Sequence, residues 1–143
     1  MTIRWRRAVW GIVPDANCEG HFRVLLRLLH SQRRRELWHF LNLAVLTFDE
    51  LGLPSDASDR EVWETCQQRE IVLITANRTA AGADSLEAVI QASNTPESLP
   101  VVTLANVERI RRDPDYASQV ADRLLDYLFD MESFRGVGRV FVP

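Results

Sequence analysis

The feature that most constrains the fold is a short apolar run, IVLIT, at residues 71–75. It has no polar side chain until Thr75, which suits a strand that is covered on both faces, as strands of parallel sheets are. The preceding segment, residues 59–70, carries Val62, Trp63 and Cys66 on one helical face. We therefore expect an amphipathic helix that leads into a central, buried strand.

Strands and helices alternate along the rest of the chain. Apolar runs predict further strands at residues 8–13, which Pro14 ends, at residues 43–47 and 100–104, and at VFV near the C-terminus, where an edge strand follows Gly136 and Gly138. Helical spacing predicts helices at residues 19–30 and from Asp113-Pro114 onward. This order predicts an α/β fold: a three-layer sandwich whose mainly parallel sheet of four or five strands is flanked by helices. A chain of 143 residues suits a single domain over residues 1–143.

Two helical segments leave alternatives open. Arg33, Arg34 and Arg35 interrupt the apolar pattern after residue 30, so the region is either one long bent helix or two helices. This basic run is typical of a solvated face, although it could contact an RNA backbone. The apolar stripe of the C-terminal helix, residues 116–129, either covers the sheet or is an exposed face that binds another protein or a second copy.

Composition excludes several classes of function. The net charge of −3 gives no overall positive field that would attract nucleic acid, so any such binding needs a local patch. The two cysteines form neither a zinc motif nor a disulfide framework. The apolar N-terminal run is short and reads as a first strand rather than a signal peptide, and no run approaches the ~20 residues of a membrane helix. We expect a cytoplasmic protein with reduced thiols and no membrane association.

Polar residues follow the predicted strands at the points where they end. Asp15 follows the first strand, Asn77 and Arg78 follow residues 71–75, and Asp59 and Asp84 stand at the starts of helices. Because the carboxyl ends of parallel strands hold the ligands of open α/β sheets, we expect these side chains to meet there. Carboxylates suit a hard divalent cation.

Each of these residues also has a purely structural alternative. Asp15 can make a turn or cap the following helix, Asn77 can make a turn, and Arg78 can be an ordinary surface arginine. Either Ser58 or Asp59 can cap the helix predicted at residues 59–70, and either Asp84 or Ser85 can cap the helix that follows them.

Three segments resemble the PIN-like nuclease family, specifically its DUF5615-type branch. They are GIVPDAN around Asp15, LGLPSDASDREVWETCQQRE around Asp59, and IVLITANR at residues 71–78, all in the first two-thirds of the chain. The resemblance implies a ribonuclease that depends on Mg²⁺ or Mn²⁺, often the toxin half of a toxin–antitoxin pair. It also implies that Asp15, Asp59 and Asp84 ligate the metal.

The chain departs from the family pattern at one acidic position. The acid of the family's T-x-D motif falls on Asn77, whose amide oxygen can ligate a metal but carries no charge. The first hypothesis is an endoribonuclease in which Asp15, Asp59, Asp84 and Asn77 form the site and Arg78 steadies the substrate phosphate. The alternative is an inactive PIN-like protein that binds a protein partner, such as an antitoxin or a second copy. A receiver-like signalling module ranks last because the chain has no lysine.

Overall fold

The structure is a computed structural model that describes residues 8–76 and 85–143. Within these ranges the strands are β1 (Gly11–Pro14), β2 (Ala44–Val45), β3 (Ile71–Ala76), β4 (Val101–Leu104) and β5 (Arg139–Val142). The α-helices are α1 (Glu19–Leu29), α2 (Arg35–Leu41), α3 (Asp59–Arg69), α4 (Leu86–Ser93), α5 (Val107–Arg112) and α6 (Pro114–Phe129).

The five strands form one sheet in the order β2-β1-β3-β4-β5, and every neighbouring pair is parallel. The predicted α/β class, the parallel sheet and the central position of IVLIT are confirmed. β5 lies at the edge, as VFV predicted. In the register, Val13 of β1 lies beside Leu73 of β3, and Thr75 of β3 lies beside Thr103 of β4.

The second strand is shorter than the predicted residues 43–47, because the chain turns immediately after it. The backbone N–H and the hydroxyl of Thr47 both donate to the Glu50 carboxylate, at 3.2 and 3.1 Å. The Glu50 N–H donates back to the Thr47 hydroxyl at 3.2 Å. These reciprocal bonds start a short 3₁₀ helix, Asp49–Leu51, where the strand would otherwise continue.

Alternate residues of the strands pack into separate apolar cores on the two faces of the sheet. Ile12, Val72 and Val102 face α1, α5 and α6. Val13, Leu73 and Val101 face α3 and α4. The sheet is therefore the middle layer of a three-layer sandwich, and its strands are apolar on both faces as their sequences predicted.

The arginine-rich segment separates two helices, α1 and α2, and is not wholly solvated. Arg34 is buried, and its Nε donates to Asp122 on α6 at 2.7 Å, while its Nη2 donates to the Ser118 hydroxyl. The prediction of a solvated face is wrong for Arg34, because these partners satisfy its charge inside the protein. It remains right for the exposed Arg33 and Arg35.

The apolar stripe of α6 covers the sheet, so the alternative of a wholly exposed partner-binding face is wrong. Its buried residues are Tyr116, Ala117, Val120, Ala121, Leu124, Leu125 and Leu128. Only Phe129 remains well exposed at its end, where it stacks on Phe40 of α2 with ring centroids 5.9 Å apart. Within residues 8–76 and 85–143, no helix has the length and apolar character that crossing a membrane requires.

Candidate active site

Asp15 is held at the carboxyl end of β1 by bonds to the neighbouring strand. Its backbone N–H donates to Ile74 O of β3 at 2.7 Å. Its carboxylate accepts from the Asn17 N–H and from the Thr75 hydroxyl, each at 3.4 Å. Asp15 thus caps the short 3₁₀ helix Ala16–Cys18, as its structural alternative predicted, and its second carboxylate oxygen faces β3.

Asp59 is the first residue of α3, and Ser58 takes the capping role. The Ser58 hydroxyl accepts from the Glu61 N–H at 3.1 Å and lies 3.3 Å from the Glu61 carboxylate, an arrangement typical of a capping box. Of the two alternatives, Ser58 rather than Asp59 is therefore the N-cap of this helix. The Asp59 carboxylate stands at the positive N-terminal end of α3.

Asp15 and Asp59 line the same cleft, which has a volume of about 180 Å³. The cleft opens between the end of β1 and the start of α3, at the carboxyl edge of the sheet. Its other lining residues are Asn17, Phe48, Ser55, Asp56, Ala57, Val62, Leu73 and Leu86. Both aspartates therefore line one cleft at this edge of the sheet, together with the apolar side chains of Phe48, Val62, Leu73 and Leu86.

Three residues of the predicted site lie outside the described ranges. They are Asn77, Arg78 and Asp84. The helix that Asp84 or Ser85 was expected to cap is capped by Ser85, whose hydroxyl accepts from the Ala88 N–H at 3.2 Å. The roles of the three residues stay predictions from the sequence.

Asp56 is a cleft residue that the sequence analysis did not identify as a candidate site residue. It is exposed and joins Asp15 and Asp59 in lining the cleft. The loop that carries it follows β2 and precedes α3, so it also stands at the carboxyl edge of the sheet. Its position after a strand is the signal that could have identified it.

The oxygen donors of this cleft have the right chemistry for a hard cation, but they do not complete a site. Carboxylates are the ligands that Mg²⁺ and Mn²⁺ prefer. In the described part of the chain, however, no three side chains of the His, Cys, Asp and Glu types stand close enough together to hold a metal ion. A cation in this cleft thus needs oxygen ligands in addition to the described carboxylates.

The cysteines are excluded as nucleophiles by their surroundings. Cys18 is fully buried behind Asp15, and its thiol lies 3.5 Å from Ile74 O. Burial raises the pKa of the Cys66 thiol to about 12, with only partial opposition from the Arg69 charge. Neither thiol has the exposed, electropositive surroundings of a reactive cysteine.

Comparison of the chain with protein-family models gives no match, and comparisons with curated proteins and with solved structures give none either.

Proposed function

We propose that this protein is a metal-dependent endoribonuclease of the PIN-like type, with an activity that Asn77 weakens. One observation carries the proposal: Asp15 and Asp59 line a single cleft of about 180 Å³ at the carboxyl edge of a parallel sheet. Two elements that are remote in sequence, the end of β1 and the start of α3, bring these carboxylates together. Ligands of open α/β sheets bind at this edge.

A phosphodiester substrate needs positive charge in such a cleft. Carboxylates alone repel the negatively charged phosphate, and that repulsion is strong in a partly buried site. A bound Mg²⁺ or Mn²⁺ would lower the pKa of the water that it binds and would offset negative charge on the phosphate. Asp15 and Asp59 would hold this cation, Asp84 would add a third carboxylate, and Arg78 would orient the phosphate with its guanidinium.

Asn77 is the reason to expect slow turnover. Its amide oxygen can still face a cation, but it contributes no negative charge. A site with one carboxylate fewer binds a divalent cation less tightly, so less of the protein is in the active form at a given metal concentration. We therefore place this chain among PIN-like proteins with weakened activity.

The alternative function is that of an inactive PIN-like protein that acts by binding an antitoxin or another protein. It is favoured by a specific patch of three exposed apolar side chains, Leu37, Phe40 and Phe129. Phe40 is 80% exposed and stacks on Phe129, which is 43% exposed, so the two rings form a connected apolar surface. Such patches commonly bind protein partners.

Cleavage of single-stranded RNA as a function of Mn²⁺ concentration tests the proposal. We expect slow cleavage by the wild type that requires the metal. Asp15→Asn and Asp59→Asn should each lower the rate by more than the roughly 10- to 100-fold that is typical of changes outside the first coordination shell. Asp126→Asn, an equal charge change on α6 remote from the cleft, should cleave like the wild type.

Two outcomes would contradict the nuclease proposal. Equal, metal-independent rates in the wild type and all variants would identify a contaminating nuclease. Absence of cleavage in both the wild type and Asn77→Asp would favour the binding-protein alternative. That alternative would then be supported by a protein partner that binds the wild type and does not bind Phe40→Glu.

A further inference from the structure

A row of polar side chains leads from the acidic cleft across the sheet face that packs on α3 and α4. Thr75 of β3 donates to Asp15 at 3.4 Å. Thr103 of β4 is the register neighbour of Thr75, and both threonines are buried. The Thr103 hydroxyl accepts a hydrogen bond from Nη1 of Arg139 on β5 at 2.8 Å. The row therefore ends at a guanidinium on β5, three strands from β1 in the sheet.

Arg139 is only partly satisfied by the groups around it. Its Nη2 lies 3.3 Å from the carboxylate of Glu87, whose side chain is 45% exposed, and its own side chain is 17% exposed. Its Nε is buried and has no hydrogen-bond partner within residues 8–76 and 85–143. The Nη groups are paired with only one hydroxyl and one half-exposed carboxylate, so the part of the guanidinium that reaches solvent can donate to a ligand with more acceptor oxygens. A phosphate has such oxygens in a geometry that matches the guanidinium.

Phe141 lies beside Arg139 on the same face of the edge strand. The guanidinium carbon of Arg139 is 6.0 Å from the ring centroid of Phe141, and the Phe141 side chain is 52% exposed. Among the strands formed by residues 8–76 and 85–143, β5 is at the edge of the sheet, so this ring is reachable from the side. Exposed aromatic rings next to arginine are the groups on which proteins stack the bases of single-stranded nucleic acids.

We propose that Arg139 and Phe141 form a subsite for single-stranded RNA, in which Arg139 binds a backbone phosphate and Phe141 stacks on an adjacent base. That the ligand is RNA rests on the proposed function, whereas the contact between the Arg139 guanidinium and the exposed Phe141 ring is observed independently of it. Strands of a sheet are about 4.8 Å apart, so Thr103 of β4, which holds Arg139, lies roughly 10 Å from the end of β1. The subsite thus takes a nucleotide outside the scissile linkage.

The competing explanation is that Arg139 only ties the edge strand to α4 through Glu87. It predicts that substitution of Arg139 lowers stability and leaves RNA affinity unchanged. It also gives no role to Phe141, whose exposed ring adds little to the core. RNA affinity and thermal stability, measured on the same variants, separate the two explanations.

The experiment measures binding of a short fluorescein-labelled oligouridylate by anisotropy, in EDTA so that no cleavage occurs. We expect Phe141→Leu, which keeps an apolar side chain but removes the ring, to weaken binding at least roughly fivefold. Arg139→Gln should weaken it to a similar degree and lower the slope of log affinity against log salt by about 1. Arg139→Lys should retain the salt slope, because it keeps the charge.

Matched controls lie on the other face of the sheet. Arg33→Gln removes an equal charge from a side chain that is 76% exposed, and Phe40→Leu removes a ring that is 80% exposed. Neither should change the RNA affinity. Glu87→Gln should strengthen binding by freeing the guanidinium, whereas Glu36→Gln, the same charge change on α2, should strengthen it less.

The outcomes separate this inference from the proposed nuclease. If Arg139→Gln and Phe141→Leu bind RNA like the wild type while cleavage depends on Asp15, the subsite is overturned and the nuclease stands. If both variants lose binding while cleavage does not depend on Asp15, the subsite stands and the nuclease is overturned. A wild type that does not bind the oligouridylate overturns the subsite. If Arg139→Gln fails to fold, the RNA affinity of Phe141→Leu, a change at an exposed side chain, still decides whether the subsite exists.

Discussion

The hydroxyl of Thr75 lies 3.4 Å from Oδ2 of Asp15, so the central strand contacts a carboxylate that the neighbouring strand supplies. Thr75 is 1% exposed, and the parallel ladder on both sides of β3 fixes its backbone. The other carboxylate oxygen of Asp15 caps the following turn. One residue thus receives its orientation from two elements, which is how proteins commonly hold metal-ligating carboxylates.

Replacing Thr75 with valine should disturb the site without disturbing the fold. Valine keeps the branched shape that suits a strand and removes only the hydroxyl. We expect Mn²⁺ affinity to fall by roughly tenfold, and the free energy of unfolding to change by less than about 1.5 kcal/mol. Titration of Mn²⁺ and urea unfolding measure the two quantities. Thr103→Val, on the next strand, should leave Mn²⁺ affinity unchanged; equal affinity in Thr75→Val as well would show that this hydrogen bond does not position Asp15.

Placing an acid at residue 77 should strengthen the proposed metal site. A third or fourth carboxylate raises the affinity for a divalent cation because it adds negative charge at the ion. We expect Asn77→Asp to lower the Mn²⁺ concentration at half-maximal cleavage by roughly tenfold and to raise the rate below saturation. Asn42→Asp adds the same charge at the left-handed end of α2, where aspartate is tolerated, and should change neither quantity. A gain shared by both variants would point to net charge rather than ligation.

Much of the fold follows from hydrophobic patterning alone. The run IVLIT is apolar on both faces, which suits a central strand of a parallel sheet, and that is the position of β3. Asp113-Pro114 predicts the start of α6, and Asp113 accepts from the N–H groups of Asp115 and Tyr116 there. These features depend on residues that are close together in the sequence, so the sequence pattern alone predicts them.

The missed features depend on contacts between segments that are distant in sequence. Arg34 reads as part of a solvated basic run, and only the approach of α6 supplies its partner Asp122, 88 residues away. Asp56 reads as a loop residue, and only the return of the chain past the end of β1 makes it a cleft residue. A sequence pattern indicates which side chains can ligate or pair, whereas the sheet order decides which of them meet.

Cys66 should be inert to thiol reagents in the folded protein. Burial raises its pKa to about 12, so the reactive thiolate is scarce near pH 8, and Cys18 is fully buried as well. We expect no rapid phase with an aromatic disulfide reagent in buffer, and reaction of both thiols in concentrated urea. Rapid labelling in buffer that is lost in Cys66→Ala would show that α3 does not pack on the sheet as described.

Removing the Arg34 side chain should cost far more stability than removing its neighbour. The Arg34 side chain is 5% exposed and bonds to Asp122 at 2.7 Å, whereas the Arg33 side chain is 76% exposed and lies 4.0 Å from the same carboxylate. Charged hydrogen bonds of this type contribute about 1.5–3 kcal/mol. We expect Arg34→Met to lower the free energy of urea unfolding by about 2 kcal/mol, and Arg33→Met to lower it by less than about 1 kcal/mol.

The cost of Arg34→Met should also depend on pH. The hydrogen bond from Arg34 lowers the pKa of Asp122 below its usual value, against the opposing effect of burial and with help from the Arg34 and Arg33 charges. Because the folded protein holds this carboxylate ionised to lower pH than the unfolded chain does, its contribution is complete above the unfolded pKa. It is lost as the pH falls through the folded pKa. The difference in stability between the wild type and Arg34→Met should therefore be constant above about pH 5 and shrink below about pH 4. A difference that stays constant down to acid unfolding would mean that Arg34 stabilises the protein by packing and through Ser118 rather than through the Asp122 charge.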